Sequence, residues 1–170
     1  MLPVYCANMA PVFAAKVFGS KFDLPLDFGY KYKGKELLGQ NKTWRGLLAG
    51  IIVSLAVIYL QAYLYQFEFF KRLSLFDYYS IDIFTLGLFM GLGVILADAL
   101  KSFLKRRKNI KPGDKWFFWD QLDFLGGLMF SLFIYLPPWY IFLIILLISP
   151  LLPPVANWFG FKLKIKKVAW

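Results

Sequence analysis

The chain has 170 residues, 59% hydrophobic and 21% aromatic, with a formal net charge of +10, one cysteine and no histidine. A mean hydropathy of +0.57 over this length excludes an ordinary soluble domain and points to one membrane-embedded domain. Lone Cys6 excludes an intramolecular disulfide, and the missing histidine removes the commonest general base and zinc ligand. The positive charge favours anionic partners, lipid head groups or phosphates, over nucleic acid, for which there is no folded soluble module.

A spanning helix needs roughly 20 mostly apolar residues. Five segments qualify: 2–18, 44–65, 81–104, 117–136 and 139–157. The first has no Lys or Arg before its apolar run, so it reads as a retained helix and not a secretory signal. The fourth and fifth share the uncharged run 124–161 and divide at Pro137-Pro138, since neither proline donates a backbone hydrogen bond. Pro150, Pro153 and Pro154 predict a kink or early end in the fifth. Between the segments, Lys and Arg alternate as 7, 2, 7 and 0, with 4 in the tail and none before the first segment. Eighteen of the twenty therefore fall on one side, which the positive-inside rule makes cytoplasmic. The expected fold is all-α and polytopic, with five transmembrane helices, the N-terminus outside and the C-terminus cytoplasmic. Loops 19–43 and 105–116 then lie in the cytoplasm. Residues 20–35 read as part of the first loop, with a short amphipathic element and no assigned chemistry.

Helix length locates the carboxylates. The uncharged stretches 83–97 and 124–136 would cover only about 22 Å and about 20 Å of a ~30 Å hydrocarbon core. Both helices must extend through their aspartates. Asp98 then sits in the cytoplasmic end of the third helix, and Asp120 and Asp123 share one face in the first turns of the fourth. Carboxylates at that depth are costly unless paired, metal-bound or facing a wet cavity. Together the three can hold Mg²⁺, which takes oxygen ligands. Alternatively each pairs with a lysine or caps a helix. Asp120 and Asp123 suit that second reading, while Asp98, near a helix C-terminus, does not.

Lys101, Ser102 and Lys105 continue the stripe of Asp98 at helical spacing and read as phosphate contacts or as a solvated basic face. Arg106, Arg107 and Lys108 read as solvated charge. The run Gly39-Gln40-Asn41-Lys42-Thr43-Trp44-Arg45-Gly46 leads into the second helix. A helix N-terminus is a ready anion site, and Lys42 and Arg45, three apart, can close on one phosphate. The same run is equally a cap, on Asn41 or Thr43, beside topological charges. It is not a P-loop.

Ser102-Phe-Leu-Lys105-Arg106, then Lys111, then Asp120-Gln-Leu-Asp123 resembles the signature of the CDP-diacylglycerol synthases. The departures are Pro112, where that signature has Asp, Gln121, where it has Arg, and Phe117-Phe118-Trp119 in place of its His-Gly-Gly. The short five-helix layout, the Asn-Lys-Thr-x-Arg-Gly element and Asp-Gln-Leu-Asp-Phe are most similar to the archaeal branch of that family. The resemblance implies a cytidylyltransferase that takes CTP and a membrane lipid phosphate, 2,3-bis-O-geranylgeranylglycerol 1-phosphate, to a CDP-lipid and pyrophosphate with Mg²⁺. It implies Mg²⁺ ligands at Asp98, Asp120 and Asp123. It implies CTP phosphate contacts at Asn41, Lys42, Thr43, Arg45, Lys101, Ser102 and Lys105, with Lys101 and Arg45 among the catalytic groups. Gln121 in place of Arg removes a charge from that position.

Two other classes share some of these features. A five-helix glycerol-phosphate acyltransferase has basic cytoplasmic loops but does not explain clustered carboxylates, and CTP dependence separates it. A non-catalytic scaffold or channel that binds anionic lipid predicts that changes such as Asp120→Glu matter little.

Overall fold

The computed structural model describes residues 1–110, 116, 123–134, 136, 138–148 and 162. The elements in chain order are α1 (Leu2–Phe18), β1 (Lys31–Tyr32), β2 (Lys35–Glu36), α2 (Trp44–Leu64), α3 (Glu68–Leu73), α4 (Ile83–Arg107), α5 (Asp123–Ser131) and α6 (Trp139–Ile148). The chain divides into two compact units, Met1–Leu136 and Pro137–Trp170. The second contains α6, whose ten residues are all apolar or aromatic.

The first unit is a bundle of α1, α2, α4 and α5 that run alternately up and down. Three sets of paired contacts fix this direction. Gly46 meets Pro11 while Gly50 meets Ala7; Gly50 meets Ile95, Gly91 meets Ser54 and Gly87 meets Ile58; Gly126 meets Gly93 and Gly127 meets Met90. In each pair the numbers rise on one helix as they fall on the other. Small residues make this packing possible. A Cβ on Gly93 would lie 2.5 Å from the Gly126 carbonyl oxygen, and one on Gly126 would lie 2.3 Å from the Gly93 carbonyl oxygen. In lipid, where burying apolar surface drives little helix association, such backbone approach supplies the attraction. Ser54 adds a buried hydrogen bond from its hydroxyl to the Gly87 carbonyl at 2.7 Å. Val4, Ala7, Ile58, Leu86, Met90 and Val94 fill the core.

Two helices, Trp44–Leu64 and Ile83–Arg107, are long and apolar enough to cross a membrane. Only 17% of the apolar stretch of α2 is buried against the rest of the protein. Leu48, Ile52, Tyr59, Leu60 and Tyr63 face outward. A continuous apolar surface of that kind calls for a cover, from lipid or from a partner.

The helix ends follow local chemistry. Thr43 caps α2, its Oγ1 accepting from the Gly46 N–H at 3.1 Å. Asp82 caps α4 and accepts from the Phe84 N–H at 3.1 Å. This moves the start of α4 to Ile83 from the expected 81. At its other end α4 runs to Arg107, past the expected 104. Asn109 then adopts φ 60° and the Ile110 N–H bonds to the Lys105 carbonyl at 3.0 Å, a Schellman closure. Helix α5 ends at Ser131 and not at 136, because Phe133 and Ile134 bond back to residues three before them and tighten the last turn. Residues 117–122 of the expected fourth helix and 149–157 of the fifth lie outside the described residues.

The connection from α1 to α2 is more ordered than its sequence suggests. Strands β1 and β2 pair antiparallel, with Lys31 opposite Glu36 and Tyr32 opposite Lys35. Lys33 and Gly34 both take positive φ, the geometry of a tight two-residue hairpin turn. Pro25 and Thr43 form a further antiparallel bridge beside the start of α2. The expected amphipathic element is therefore a small hairpin, built on the left-handed freedom of Gly34. Helix α3 in the connection from α2 to α4 is a further element that the hydropathy pattern leaves unmarked.

Candidate active site

The antiparallel register of α2 and α4 brings the end of the 19–43 connection against the last turns of α4. There Lys42 donates to Asp98 Oδ2, and Lys101 Nζ stands 3.4 Å from Asp98 Oδ1. The Asp98 side chain is 19% exposed. Burying a carboxylate at that depth is costly without such partners. Lys101 reaches it because i and i+3 share a helix face. Lys42 reaches it because the backbone around it is held: its carbonyl accepts from the Leu26 N–H at 2.7 Å, and the Trp44 N–H donates to the Leu24 carbonyl at 3.0 Å.

Two cavities share the Lys42–Asp98 pair as a common wall. The smaller, about 150 Å³, is lined by Gly39, Gln40, Asn41, Lys42, Asp98, Lys101, Ser102, Lys105 and Arg106, with Leu38. Among the described residues, four cations and one carboxylate line it, a balance that favours an anion. Ser102 and Lys105 are among its most enclosed residues, 7% and 9% exposed. The larger cavity, about 690 Å³, has a polar wall of Asp23, Gln40, Asn41, Lys42, Thr43, Arg45 and Asp98. Its apolar side includes Pro11, Val12 and Ala15 of α1 and Ile95 of α4. A third cavity, about 630 Å³, lies between α4 and α5 and is almost wholly apolar, with Leu96, Leu100, Leu104, Met129, Phe130 and Phe133 among its walls and Lys101 at its edge.

The expected site residues thus fall into three groups. Asn41, Lys42, Asp98, Lys101, Ser102 and Lys105 come together around the small cavity. Thr43 and Arg45 face the larger one, each already engaged. The Thr43 hydroxyl is the α2 cap, which settles the choice between Asn41 and Thr43. Arg45 donates to the Gly19 and Lys21 carbonyls at 2.6 and 2.8 Å and to Asp23 Oδ1 at 2.9 Å, tying the start of the connection to α2. Asp123 opens α5, one turn before the Gly126 contact with Gly93 and Ala97. Its backbone lies at the same end of the bundle as Asp98. Asp120 lies outside the described residues.

Sequence reasoning missed two residues. Arg106, read as solvated charge, lines the small cavity. Gln40 borders both cavities. The signal for Arg106 was its place one step beyond Lys105 in a helix that continues to Arg107.

Known proteins with this layout decide the family. The model of the CarS-like family, CDP-archaeol synthase, matches residues 1–170. The chain belongs to the CDP-archaeol synthase family. It is an enzyme of the nucleotidyltransferase class. Curated CDP-archaeol synthases are similar over the whole chain. That of Methanospirillum hungatei is 33% identical, covering 100% of both chains. That of Pyrococcus horikoshii is 36% identical, covering 100% of this chain and 93% of its own. That of Methanocaldococcus jannaschii is 35% identical with the same shares of 100% and 93%. A solved structure described as an intramembrane enzyme for archaeal membrane lipids biosynthesis superposes with a TM-score of 0.72 at 31% identity, covering 92% of this chain and 89% of its own. With the exposed apolar surface of α2, this makes the chain a mostly helical membrane protein of archaeal lipid synthesis.

Proposed function

We propose that this member of the CDP-archaeol synthase family is a CTP-dependent cytidylyltransferase that activates an isoprenoid ether-lipid phosphate to its CDP-lipid with release of pyrophosphate. One observation carries the reading beyond family membership: Lys101 borders both the cationic cavity around Asp98 and the apolar cleft between α4 and α5. A substrate that is charged at one end and hydrocarbon at the other fits that junction, and a triphosphate fits the cations beyond it.

In the reaction, a non-bridging oxygen of the lipid phosphate forms a bond to the α-phosphorus of CTP as the bond from that phosphorus to the bridging oxygen of the β-phosphate breaks. The electron pair leaves with pyrophosphate. A phosphate monoester is already anionic near neutral pH, so the absence of histidine from the chain is no obstacle. The protein's work is positioning and charge neutralisation. Lys42, Lys105 and Arg106 hold the β- and γ-phosphates. Lys101 holds the incoming lipid phosphate beside the line of attack. Ser102 and Asn41 supply neutral hydrogen bonds in the same cavity.

Among the described residues no three carboxylates gather; what supports Mg²⁺ is the oxygen chemistry of Asp98, mostly buried and bordering the cationic cavity, with α5 beginning at Asp123 at the same end. Asp98, Asp120 and Asp123 would hold the ion, which when bound supplies positive charge to the triphosphate. The chain spans the membrane five times with the N-terminus outside and this end of the bundle in the cytoplasm. That orientation follows from the eighteen of twenty Lys and Arg that lie on one side of the five-helix scheme.

The test is purified protein in nanodiscs with labelled CTP, the lipid phosphate and Mg²⁺. Label should move to the lipid and one pyrophosphate should appear per transfer. Lys42→Ala should raise the KM for CTP by about tenfold, the scale of one charge-assisted hydrogen bond. Acyl transfer to glycerol phosphate without CTP would establish the acyltransferase. Lipid binding with no turnover would establish a scaffold. For topology, a Cys6→Ala background carrying Lys35→Cys or Lys108→Cys should label from the cytoplasm, and one carrying Tyr79→Cys from outside. Labelling of all three from one side would rule the scheme out.

A further inference from the structure

We propose that Arg107 is a positioning residue: it clamps the hairpin of the 19–43 connection to the end of α4 and so holds Asn41 and Lys42 in place over Asp98. The kinetic half of this rests on the reading of the site as a CTP site.

Arg107 is the last residue of α4 and lines neither of the two cavities at Asp98. Its guanidinium forks across the hairpin. One nitrogen donates to the Tyr32 carbonyl at 2.8 Å and the other to the Glu36 carbonyl at 2.9 Å. The same group stands 5.2 Å from the Tyr32 ring centre and 4.8 Å from that of Phe103, one turn back on α4. Two carbonyls on either side of a tight turn are thus held by one planar cation between two rings. Lysine can reproduce neither the fork nor the stacking.

The grip matters because the segment after Glu36 leads directly to the site. The Leu38 N–H bonds to Asp27 Oδ2 at 2.8 Å, and Gly39 turns the chain with φ +94°. A Cβ on Gly39 would lie 3.3 Å from Glu36 Oε2 and 3.9 Å from Arg106 Nε, so the chain passes close along the end of α4. The Lys42 N–H then bonds to the Gly39 carbonyl at 3.1 Å. Beyond it, Thr43 and the bridge to Pro25 fix the start of α2. The segment carrying Gln40, Asn41 and Lys42 is therefore a short span pinned at both ends, by the α2 cap on one side and by Arg107 on the other. If loss of the clamp leaves the span ordered only about a tenth of the time, the apparent affinity for nucleotide falls about tenfold.

The experiment uses the full chain in nanodiscs as wild type, Arg107→Ala, Arg107→Lys and the neighbouring control Lys108→Ala. Trypsin cleavage at Lys31, Lys33 and Lys35 is followed by peptide mapping, and kcat and KM for CTP are measured on the same samples. Arg107→Ala should be cleaved in the hairpin about tenfold faster and should raise the KM for CTP about tenfold, while kcat changes less than about threefold. Arg107→Lys should fall between, and Lys108→Ala should match the wild type. Unchanged cleavage in Arg107→Ala overturns the clamp. Faster cleavage with an unchanged KM shows that the hairpin does not set the nucleotide site, and overturns the proposal equally. So does a fall in kcat at constant KM with a lowered melting temperature, the mark of a general structural role. A wild type that neither binds nor turns over CTP overturns the reaction itself, a result separate from the hairpin cleavage.

Discussion

The two ends of the four-helix bundle solve the same problem differently. At the end where α2 finishes and α4 begins, polar groups are spent on one another. The Tyr65 ring packs against Tyr78 and Tyr79 with centroids 5.3 and 5.2 Å apart, and Lys71 lies 5.8 Å from the Tyr65 ring. Asp77 accepts from the Tyr65 hydroxyl at 3.4 Å and the Tyr79 N–H at 3.1 Å. At the other end, Asp98 has two cations but faces open volume, with Lys105 and Arg106 around the same space. A carboxylate satisfied by its neighbours builds structure. A carboxylate that borders a cavity lined by several cations sits where an anionic ligand can be held. The difference supports placing the proposed site at the Asp98 end, independently of any relative.

The largest test of this contrast exchanges the two aspartates' chemistry. Asp98→Asn keeps volume and removes charge. It should lower turnover by at least about 100-fold, the scale of losing a preorganised electrostatic contact. Asp77→Asn should leave turnover within about twofold, because it touches only the far-end cluster. Comparable losses in both would erase the distinction between the ends.

Next comes the packing that holds the ends apart. Gly93→Ala sets a methyl 2.5 Å from a backbone oxygen, which can yield only if α5 shifts. Gly87→Ala meets the Ile58 Cγ2 at 2.6 Å, a side-chain atom. The first should destabilise the protein by about 1–3 kcal/mol, the usual cost of overpacking, and the second by less. Melting of the detergent-solubilised proteins measures both. Since α5 begins at Asp123, Gly93→Ala should also depress turnover at temperatures where the protein remains folded. Equal melting shifts for the two would mean that the close approach of α4 and α5 is not rigid.

Much of this was legible in the sequence. The start of α2 at Trp44 and the extension of α4 through Asp98 followed from apolar runs and from the length a span requires. The convergence of Lys42, Lys101 and Asp98 followed from placing the helix ends at one depth. What was hidden needed long-range contacts. The hairpin rests on Lys33 and Gly34 in a turn and on an arginine more than seventy residues away. By spacing Arg45 is equally a phosphate contact with Lys42 or a topological charge; the structure adds hydrogen bonds to two carbonyls and Asp23, partners that no local pattern announces. Arg106 and Arg107 are adjacent in a basic run, but helical geometry sends one to the cavity and the other to the hairpin.

A smaller effect separates the ends by pH. Burial pushes the Tyr78 hydroxyl up to about 12, with the hydrogen bond to Ser74 opposing. The folded value lies above the ordinary tyrosine value near 10, so the unfolded chain loses this proton first. The resulting stability is complete below about pH 10 and is lost as pH rises toward 12. Tyr78→Phe should therefore flatten the alkaline fall in melting temperature and leave the KM for CTP unchanged. A wild-type slope in the variant would assign the alkaline loss to other groups.

The smallest contrast lies in the two helix caps. Thr43 starts α2 at the reactive end and is 6% exposed, its hydroxyl taking the Gly46 N–H. Asp82 starts α4 at the far end and accepts from Phe84 and Thr85. The hydrogen bond from Thr85 holds the Asp82 carboxyl below the usual aspartate range, so its contribution is present above that range and fades as pH falls through it. Thr43→Ala should cost about 1 kcal/mol, the typical loss of a capping hydroxyl, while Thr43→Ser should restore most of it. Because Thr43 follows Lys42 directly, Thr43→Ala should also raise the KM for CTP by a few-fold, as fraying reaches the neighbouring backbone. Asp82→Ala should lower the melting temperature above pH 5 without moving the KM. A KM shift in Asp82→Ala as large as in Thr43→Ala would mean that the ends communicate through α4, and that the far end is part of the site's machinery after all.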